Sequence, residues 1–309
     1  MMQSSHINRT NNTYTIAFIG FGEAAQAFVS KMDRSRVQRV RAFDLKLLGA
    51  EAATVQTTCA QYEVEACATL AEALYGADIV WSLVTADQAH VAAHAAALEL
   101  MPDAWFFDCN SCAPHTKQDS AALIEQAGGR YVDIAVMSPV LPARNRTPLL
   151  LSGPHADDAS VLLNTLAMNA SVEPGPVGTS SAVKMVRSIM VKGLEALFAE
   201  CTLAGRLAGV DQQVFASLEA SNPGFNWTER AAYNLERMTL HGERRAAEME
   251  EVCSFLSHLG LPERMSESTV RWQRRLAQSG VQASADDYTA PTDALLKYFN
   301  LPNDQEITR

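Results

Sequence analysis

The sequence predicts a doubly wound parallel α/β sheet followed by an all-α helical domain. Three observations carry this. Apolar, β-rich runs alternate with helix-period segments from Thr13 to Glu173. A glycine-rich turn, Gly20-Phe21-Gly22-Glu23-Ala24-Ala25, separates the first run from the first helical segment. From Gly178 onward every strong pattern is helical.

A chain of 309 residues suggests about two domains. Residues 1–13 read as a polar, mobile tail, 14–176 as a dinucleotide-binding domain of Rossmann type, and 177–309 as a helical substrate and dimerisation domain. Pro174 and Pro176 mark the break. Apolar residues make up 48% of the chain, ample for a core, yet no run approaches the ~20 apolar residues of a membrane span. The first residues lack the apolar core of a signal peptide, so a soluble cytoplasmic protein without membrane contacts is expected. A net charge of −10 argues against a general nucleic-acid binder but admits a small anionic substrate, which needs only a few local cations. Six cysteines are scattered, and Cys109 and Cys112 form a CxxC. No second pair or spaced histidines make it a zinc site, so no metal is expected and these read as small, half-buried thiols.

The first strand, 13–19, leads into the glycine turn. Gly20 permits a tight turn, Gly22 lets a pyrophosphate approach the backbone, and the small Ala25 lets helix and strand pack closely. The helix start attracts phosphates, so the Glu23 carboxylate has to point away from them. The next strand, 37–43, ends in Asp44, at the distance expected of the acid that accepts from an adenosine ribose hydroxyl. An aspartate there repels a 2′-phosphate and favours NAD, while Lys46, Arg41 and Arg39 keep NADP open. Asp44 also reads as the cap of a helix over 45–57. The alternation continues with strands at 63–66, 79–84, 105–108, 131–136, 149–152 and 171–173, and helices at 69–75, 86–100, 114–127 and 159–167. Ligands of such sheets sit beyond the carboxyl ends of the strands. Thr85, Asn110 and Ser111 fall at those ends.

The later helices are expected at 180–208, 211–220, 227–240, 243–259, 262–279 and 290–298, punctuated by Gly209, Pro223-Gly224, Gly242, Gly260 and Pro262. The first would be a rod of roughly 40 Å at 1.5 Å per residue, capped by Ser180 or Ser181. Val183, Val186, Met190, Leu194, Leu197, Cys201 and Ala204 form a stripe read as core-facing. Lys184, Ser188, Lys192 and Glu195 form a second, polar stripe, which is either a solvated face or the lining of a cleft. Asn222 to Trp227 reads as a turn with an aromatic anchor.

At this point the chain resembles the β-hydroxyacid dehydrogenase superfamily, which contains 6-phosphogluconate and 3-hydroxyisobutyrate dehydrogenases. Four motifs carry the resemblance across residues 14–205. Ile19 to Ala25 is similar to the cofactor fingerprint. Asp108-Cys109-Asn110-Ser111-Cys112-Ala113-Pro114 is similar to the D-x-S-T-x-x-P segment beside the nicotinamide. Asp133 to Pro139 stands where the family has a D-A-P-V-S-G-G substrate loop. Gly178 followed by Lys184-Met185-Val186-Arg187-Ser188 is similar to the catalytic segment, closest to K-M-V-H-N of phosphogluconate dehydrogenases. The later helices resemble a C-terminal domain of unassigned role in a phosphogluconate-dehydrogenase-like subgroup. The chain departs from the pattern at Pro139, which has no N–H to give a substrate carboxylate. It also departs at Ser188 and Arg187, in place of asparagine and histidine, and at Val191, in place of a glutamate.

The resemblance implies an NAD(P)-dependent oxidoreductase acting on a small hydroxy acid, with a substrate other than 6-phosphogluconate. Lys184 is the implied acid/base, with Ser188 beside it in the catalytic segment, and Ser111, Ser138 and Lys192 position substrate. The cofactor contacts are Gly20, Phe21, Gly22, Glu23, Ala24, Ala25, Asp44, Thr85 and Asn110. His241 and Arg245, four apart, are able to clamp an anion or simply to pair along an exposed face. A homodimer is expected, because the family buries its helical domain against a partner. An imine reductase and a nucleotide-binding sensor without turnover are the alternatives.

Overall fold

The computed structural model describes residues 13–300. The expected tail, apart from Thr13, lies outside the described residues. The described chain divides into two compact units between Lys184 and Met185. That division falls inside a continuous helix, Thr179–Ala208.

The first unit runs β1 (Tyr14–Ile19), α1 (Glu23–Val29), β2 (Val37–Phe43), α2 (Ala52–Gln61), β3 (Glu65–Ala66), α3 (Leu70–Leu74), β4 (Ile79–Ser82), α4 (Ala89–Ala97), β5 (Trp105–Asp108), α5 (Pro114–Gln126), β6 (Arg130–Val136), α6 (Val140–Ala143), β7 (Pro148–Ser152), α7 (Ala156–Thr165) and β8 (Asn169–Val172). The eight strands form one sheet in the order β3-β2-β1-β4-β5-β6-β7-β8. Successive side chains of a strand point to opposite faces. Phe18, Trp81 and Phe107 therefore fill one apolar layer, while Val80, Phe106 and Tyr131 fill the other. The strand order reverses direction between β1 and β4, which is where open α/β sheets bind ligands.

The sheet is not wholly parallel: β7 runs antiparallel to β6, and β8 returns parallel to β7. The link from Val136 to Pro148 holds only the one-turn α6 and a short 3₁₀ turn, Arg144–Arg146. A parallel return needs a longer crossover with a packed helix. Two expected helices are also broken. The segment after Asp44 is a 3₁₀ turn, Leu45–Leu48, ended at Gly49 before α2 begins, and α4 is preceded by the 3₁₀ turn Ala86–Gln88.

The second unit takes the rest of α8 (Thr179–Ala208) with α9 (Asp211–Ser221), α10 (Trp227–His258), α11 (Arg264–Gln278) and α12 (Thr289–Asn300). The expected break at Gly242 is absent, and α10 is a single 32-residue helix. A β-carbon on Gly242 would lie 2.3 Å from the Gln273 carbonyl oxygen and 2.9 Å from Ala277 Cβ. The glycine is there for close approach of α11, which outweighs its poor helix propensity. Phe198, Phe225 and Trp227 stack at 4.5–6.5 Å between ring centroids, which makes the Asn222–Trp227 turn an aromatic anchor as expected.

The two stripes of α8 are inverted relative to expectation. Met190 is 64% and Val186 54% exposed, with Leu197, Val183 and Ala204 also exposed, whereas Lys192 and Glu195 are only 5% and 3% exposed. The apolar core face is a different one, Ala196, Phe198, Ala199 and Leu203. Buried polar groups join that face because α10 and α11 supply partners for them.

All six cysteines are free thiols, and Cys59, Cys67, Cys109 and Cys112 are buried. Burial pushes the Cys109 thiol far above its usual range and lifts Cys59 to about 11. Burial, with Glu267 nearby, lifts the half-buried Cys253 to about 11 as well. In the native protein at neutral pH, maleimide labelling read by mass spectrometry is expected to reach Cys201 and Cys253 slowly and to leave the other four. Fast labelling at Cys109 or Cys112 would mark the CxxC as reactive and overturn the packing reading. Gly242→Ala is expected to destabilise the protein by about 1–3 kcal/mol in urea denaturation, the range for overpacking, despite about 1 kcal/mol of gained helix propensity. A neutral or stabilised variant would mean that α10 and α11 are not in close backbone contact.

Candidate active site

The turn after β1 is shaped by its glycines. Gly20 has φ +84°, and a β-carbon there would sit 2.4 Å from the Leu83 carbonyl oxygen at the end of β4. A β-carbon on Gly22 would meet nothing within 4 Å, so the space beside the first turn of α1 is open. Ala25 is fully buried where α1 crosses the sheet, and Ala24 packs on the same core. Glu23 is exposed. The Phe21 ring is core, edge-on to Phe18 and Tyr62. Its backbone is held from both sides: Phe21 N–H donates to Asp44 Oδ2 at 2.8 Å, and Gln26 Nε2 donates to the Phe21 carbonyl at 3.0 Å.

Both readings of Asp44 are realised. Its Oδ1 accepts from Lys46 N–H at 2.9 Å, capping the 3₁₀ turn, while Oδ2 holds the glycine turn. A tight turn, an open glycine surface at a helix start and a carboxylate at the end of β2 fit the pyrophosphate and adenosine ribose of a nicotinamide dinucleotide.

Thr85 is exposed in the loop after β4. The Asn110 side chain is engaged by neighbours on the sheet. Its Oδ1 accepts from Val84 N–H at 2.7 Å, and its Nδ2 donates to Ser82 Oγ and Asp108 Oδ1 at 2.9 and 2.8 Å. The side chain locks the ends of β4 and β5 together. Its neighbour Ser111 accepts from Lys184 Nζ at 2.6 Å. The two members of this pair come from the loop after β5 and the second turn of α8. Ser138 lies half-buried after β6, and its Oγ donates only weakly to the Pro139 carbonyl at 3.4 Å.

Beneath Ser111 lies a fully buried polar network. Asp108 and Asp133 are register partners on the adjacent strands β5 and β6. Lys117 Nζ donates to the Asp108 carbonyl at 2.7 Å and to Asp108 Oδ1 at 2.8 Å, and sits 3.4 Å from Asp133 Oδ1. Burial alone would lower the Lys117 pKa, but Asp108 and Asp133 hold it above its usual range. Tyr131 O–H donates to Asp108 Oδ2 at 2.7 Å, and its own pKa is raised by burial first and by Asp108 next.

Asp133 also caps α8. Its Oδ2 accepts from Gly178 and Ser181 N–H at 3.1 and 3.2 Å, and its Oδ1 accepts from Ser181 Oγ at 2.6 Å. Ser180 N–H donates to Ser152 Oγ at 2.9 Å. The expected cap by Ser180 or Ser181 is therefore corrected: both lie inside the helix, and the acceptors arrive from β6 and β7.

In the second unit Lys192 Nζ donates to Ser188 Oγ at 3.0 Å and pairs with Glu248 Oε2 at 2.9 Å. Arg245 donates from Nε to Glu195 Oε2 at 2.9 Å, and its second nitrogen pairs with Glu195 Oε1. Gln273 Nε2 adds a bond to Glu195 Oε2 at 2.7 Å. Glu195 thus takes the fork of Arg245, which is buried. His241 is half-buried one turn earlier on α10. Among the described residues, no three His, Cys, Asp or Glu side chains are grouped to hold a metal ion.

Sequence reading missed Asp133 as a cap, Lys117, Gln26 and Gln273, and it named Glu195 without its pairing to Arg245. A signal existed for Lys117, which shares the buried face of α5 with Pro114, Ala121 and Ile124. A lysine at an apolar helix position calls for a buried acid.

Residues 15–173 match the family described as the NAD binding domain of 6-phosphogluconate dehydrogenase, and residues 206–276 match a domain of unknown function, DUF1932. The chain is similar to a conserved hypothetical protein from Sinorhizobium meliloti 1021, at 33% identity, covering 93% of this chain and 97% of that one, with a TM-score of 0.74. It is similar to a conserved protein of unknown function whose structure resembles 3-hydroxyacid dehydrogenases, at 30% identity over 85% of this chain and 97% of that one, with a TM-score of 0.67. An uncharacterized 28.5 kDa protein of Methanothermus fervidus is 25% identical over 154 residues, 50% of this chain. The match spans 59% of that relative's length, less than two thirds of it. With its glycine turn, its acid after β2 and its helical C-terminal region, the chain belongs to the family of NAD(P)-binding, 6-phosphogluconate dehydrogenase-like proteins with a 3-hydroxyacid dehydrogenase type of fold.

Proposed function

We propose that this protein is an NAD(P)-dependent oxidoreductase of the β-hydroxyacid dehydrogenase type, interconverting the carbinol and carbonyl of a small hydroxy acid. The observation that carries the reading is the 2.6 Å hydrogen bond from Lys184 Nζ to Ser111 Oγ beyond the end of β5. A nicotinamide dinucleotide held along Gly20–Ala25 supplies the carbon that gives or takes the hydride. The chain supplies the proton chemistry. Lys184 removes the hydroxyl proton in oxidation and returns it in reduction, as a general acid/base. Ser111 accepts from Lys184 and keeps its own proton to donate to the substrate oxygen. Ser188, Ser138 and Lys192 orient the substrate, with His241 as a further contact.

NAD is the favoured cofactor. A carboxylate such as Asp44 after β2 would repel a 2′-phosphate, and the nearby cations have partners: Lys46 with Glu51 at 2.9 Å, Arg41 with the Tyr75 carbonyl at 2.6 Å, and Arg39 with Glu65 at 3.8 Å. The imine-reductase reading fits less well, because an iminium substrate already carries its proton and leaves Lys184 without a task. The sensor reading draws on Pro139, which removes a donor from the substrate loop. No helix among the described residues is long and apolar enough to cross a membrane, and six free thiols accord with a reducing, cytoplasmic setting. The exposed face of α8, with Val186, Met190 and Leu197, is proposed to pack on a second copy of the chain.

Lys184→Met is expected to lower kcat/KM for the responsive hydroxy acid by about 10²–10⁴-fold, the usual worth of a general acid/base, with NADH binding by fluorescence retained. Turnover surviving in that variant would overturn the assignment, and silence of the wild type across C3–C6 β-hydroxy acids would turn the reading to a sensor. In gel filtration at micromolar concentration the wild type is expected to elute as a dimer and Met190→Glu as a monomer. A monomeric wild type refutes the dimer.

A further inference from the structure

We propose that Lys117, which no direct contact places at the reacting atoms, is the positioning residue of the Lys184–Ser111 pair, acting through Asp108 and Asp133. The inference rests on the role proposed above for Lys184. The Lys117 ammonium has three protons and faces three acceptors: the Asp108 carbonyl, Asp108 Oδ1 and Asp133 Oδ1, at 2.7, 2.8 and 3.4 Å. It sits where two register-paired strands set two carboxylates side by side. Like charges opposite one another repel, and Lys117 turns that repulsion into a bridge.

Each arm of the bridge ends at one member of the pair. On the first arm, Asp108 Oδ1 accepts from Asn110 N–H at 3.0 Å and Nδ2 at 2.8 Å, which fixes the loop one residue before Ser111. On the second, Asp133 takes Gly178 N–H, Ser181 N–H and Ser181 Oγ. Ser181 and Lys184 are three apart on α8 and lie on neighbouring turns of one face. The rotation of α8 about its axis, and so the direction of Lys184, follows from Asp133. A single buried ammonium therefore sets the distance across which Lys184 meets Ser111. A residue that merely neutralised two acids would affect folding alone. This arrangement ties charge balance to the position of the proposed acid/base.

The test uses the full chain labelled with [¹³Cε]lysine, with the Lys184 resonance assigned by its loss in Lys184→Met. In Lys117→Met the Lys184 resonance is expected to move toward that of exposed lysines. NADH affinity is expected to change little, since the glycine turn is held at Phe21 by Asp44 and Gln26 rather than by Asp108 or Asp133. With a responsive hydroxy acid, kcat is expected to fall about 10²-fold at little change in KM, the loss typical of an ångström of misplacement. Should Lys117→Met not fold, Ser181→Ala removes one hydroxyl from the Asp133 arm and is expected to give the same signature at smaller size. A folded variant with lowered Tm but an unmoved Lys184 resonance and unchanged kcat would overturn the inference and leave Lys117 a charge compensator. If the wild type turns over no hydroxy acid, the functional reading fails, and the Lys184 resonance still decides the positioning role.

Discussion

A helix that begins inside a protein must find acceptors for its first N–H groups, which have no partner within the helix. α8 begins among buried residues, with Gly178, Ser180 and Ser181 all closed to solvent. Each buried donor left unpaired costs about 1–3 kcal/mol. Asp133 and Ser152 meet this need from β6 and β7. A carboxylate is also the favoured charge at a helix N-terminus. It brings a second requirement, because Asp108 stands beside it on β5 and a buried anion pair needs a cation. Strand register, the cap of α8 and the buried lysine of α5 are thus one constraint seen from three elements.

Stability alone does not explain so many buried charges. Well-packed apolar groups in place of a buried ion pair are often neutral or stabilising by about 1–4 kcal/mol, whereas breaking one partner costs about 3–5 kcal/mol. We attribute the pairs Lys192–Glu248 and Arg245–Glu195 to the choice of face. α8 has two apolar stripes, one through Val186, Met190 and Leu197 and one through Ala196, Ala199 and Leu203. Apolar burial does not tell them apart. Glu195 and Lys192 mark the inward one, where they meet Arg245, Gln273 and Glu248, in the rotation that the Asp133 cap also favours.

This is also why the inward face of α8 was misread from sequence while the glycine turn was not. The turn is local: Gly20, Gly22, Ala25 and Asp44 declare their roles at short spacing, and Gly20 has a positive φ and a close contact at Leu83 that only glycine accommodates. Alternation of strands and helices is equally local, and it located all eight strands of the sheet. Direction is not local. β7 looks like any other buried strand, and only the shortness of the link before it makes it antiparallel. Gly242 carries the same lesson. A glycine within a helical pattern reads as a stop until a neighbouring backbone, here Gln273, is known to occupy the space of its missing side chain. Asp133 and Lys117 escaped for a related reason, since a charge in a buried strand and a charge on a buried helix face become a pair only when the fold joins them.

The site therefore has a half dictated by chemistry and a half open to change. On the proposed reading, hydride transfer to a dinucleotide calls for the turn, the acid after β2 and a proton carrier, the roles given to Gly20, Gly22, Asp44 and Lys184. Recognition of the acid carries no such uniform demand. Pro139 withdraws a backbone donor from the loop after β6, and Ser138 offers a hydroxyl that makes a weak bond to the Pro139 carbonyl. The cation Lys192 is shared with Glu248. A hydroxyl is a weaker partner for a carboxylate than a charged donor, and a paired cation attracts an anion less than a lone one. On the proposed reading, selection among hydroxy acids then rests less on holding the carboxylate than on the shape and polarity of the rest of the molecule.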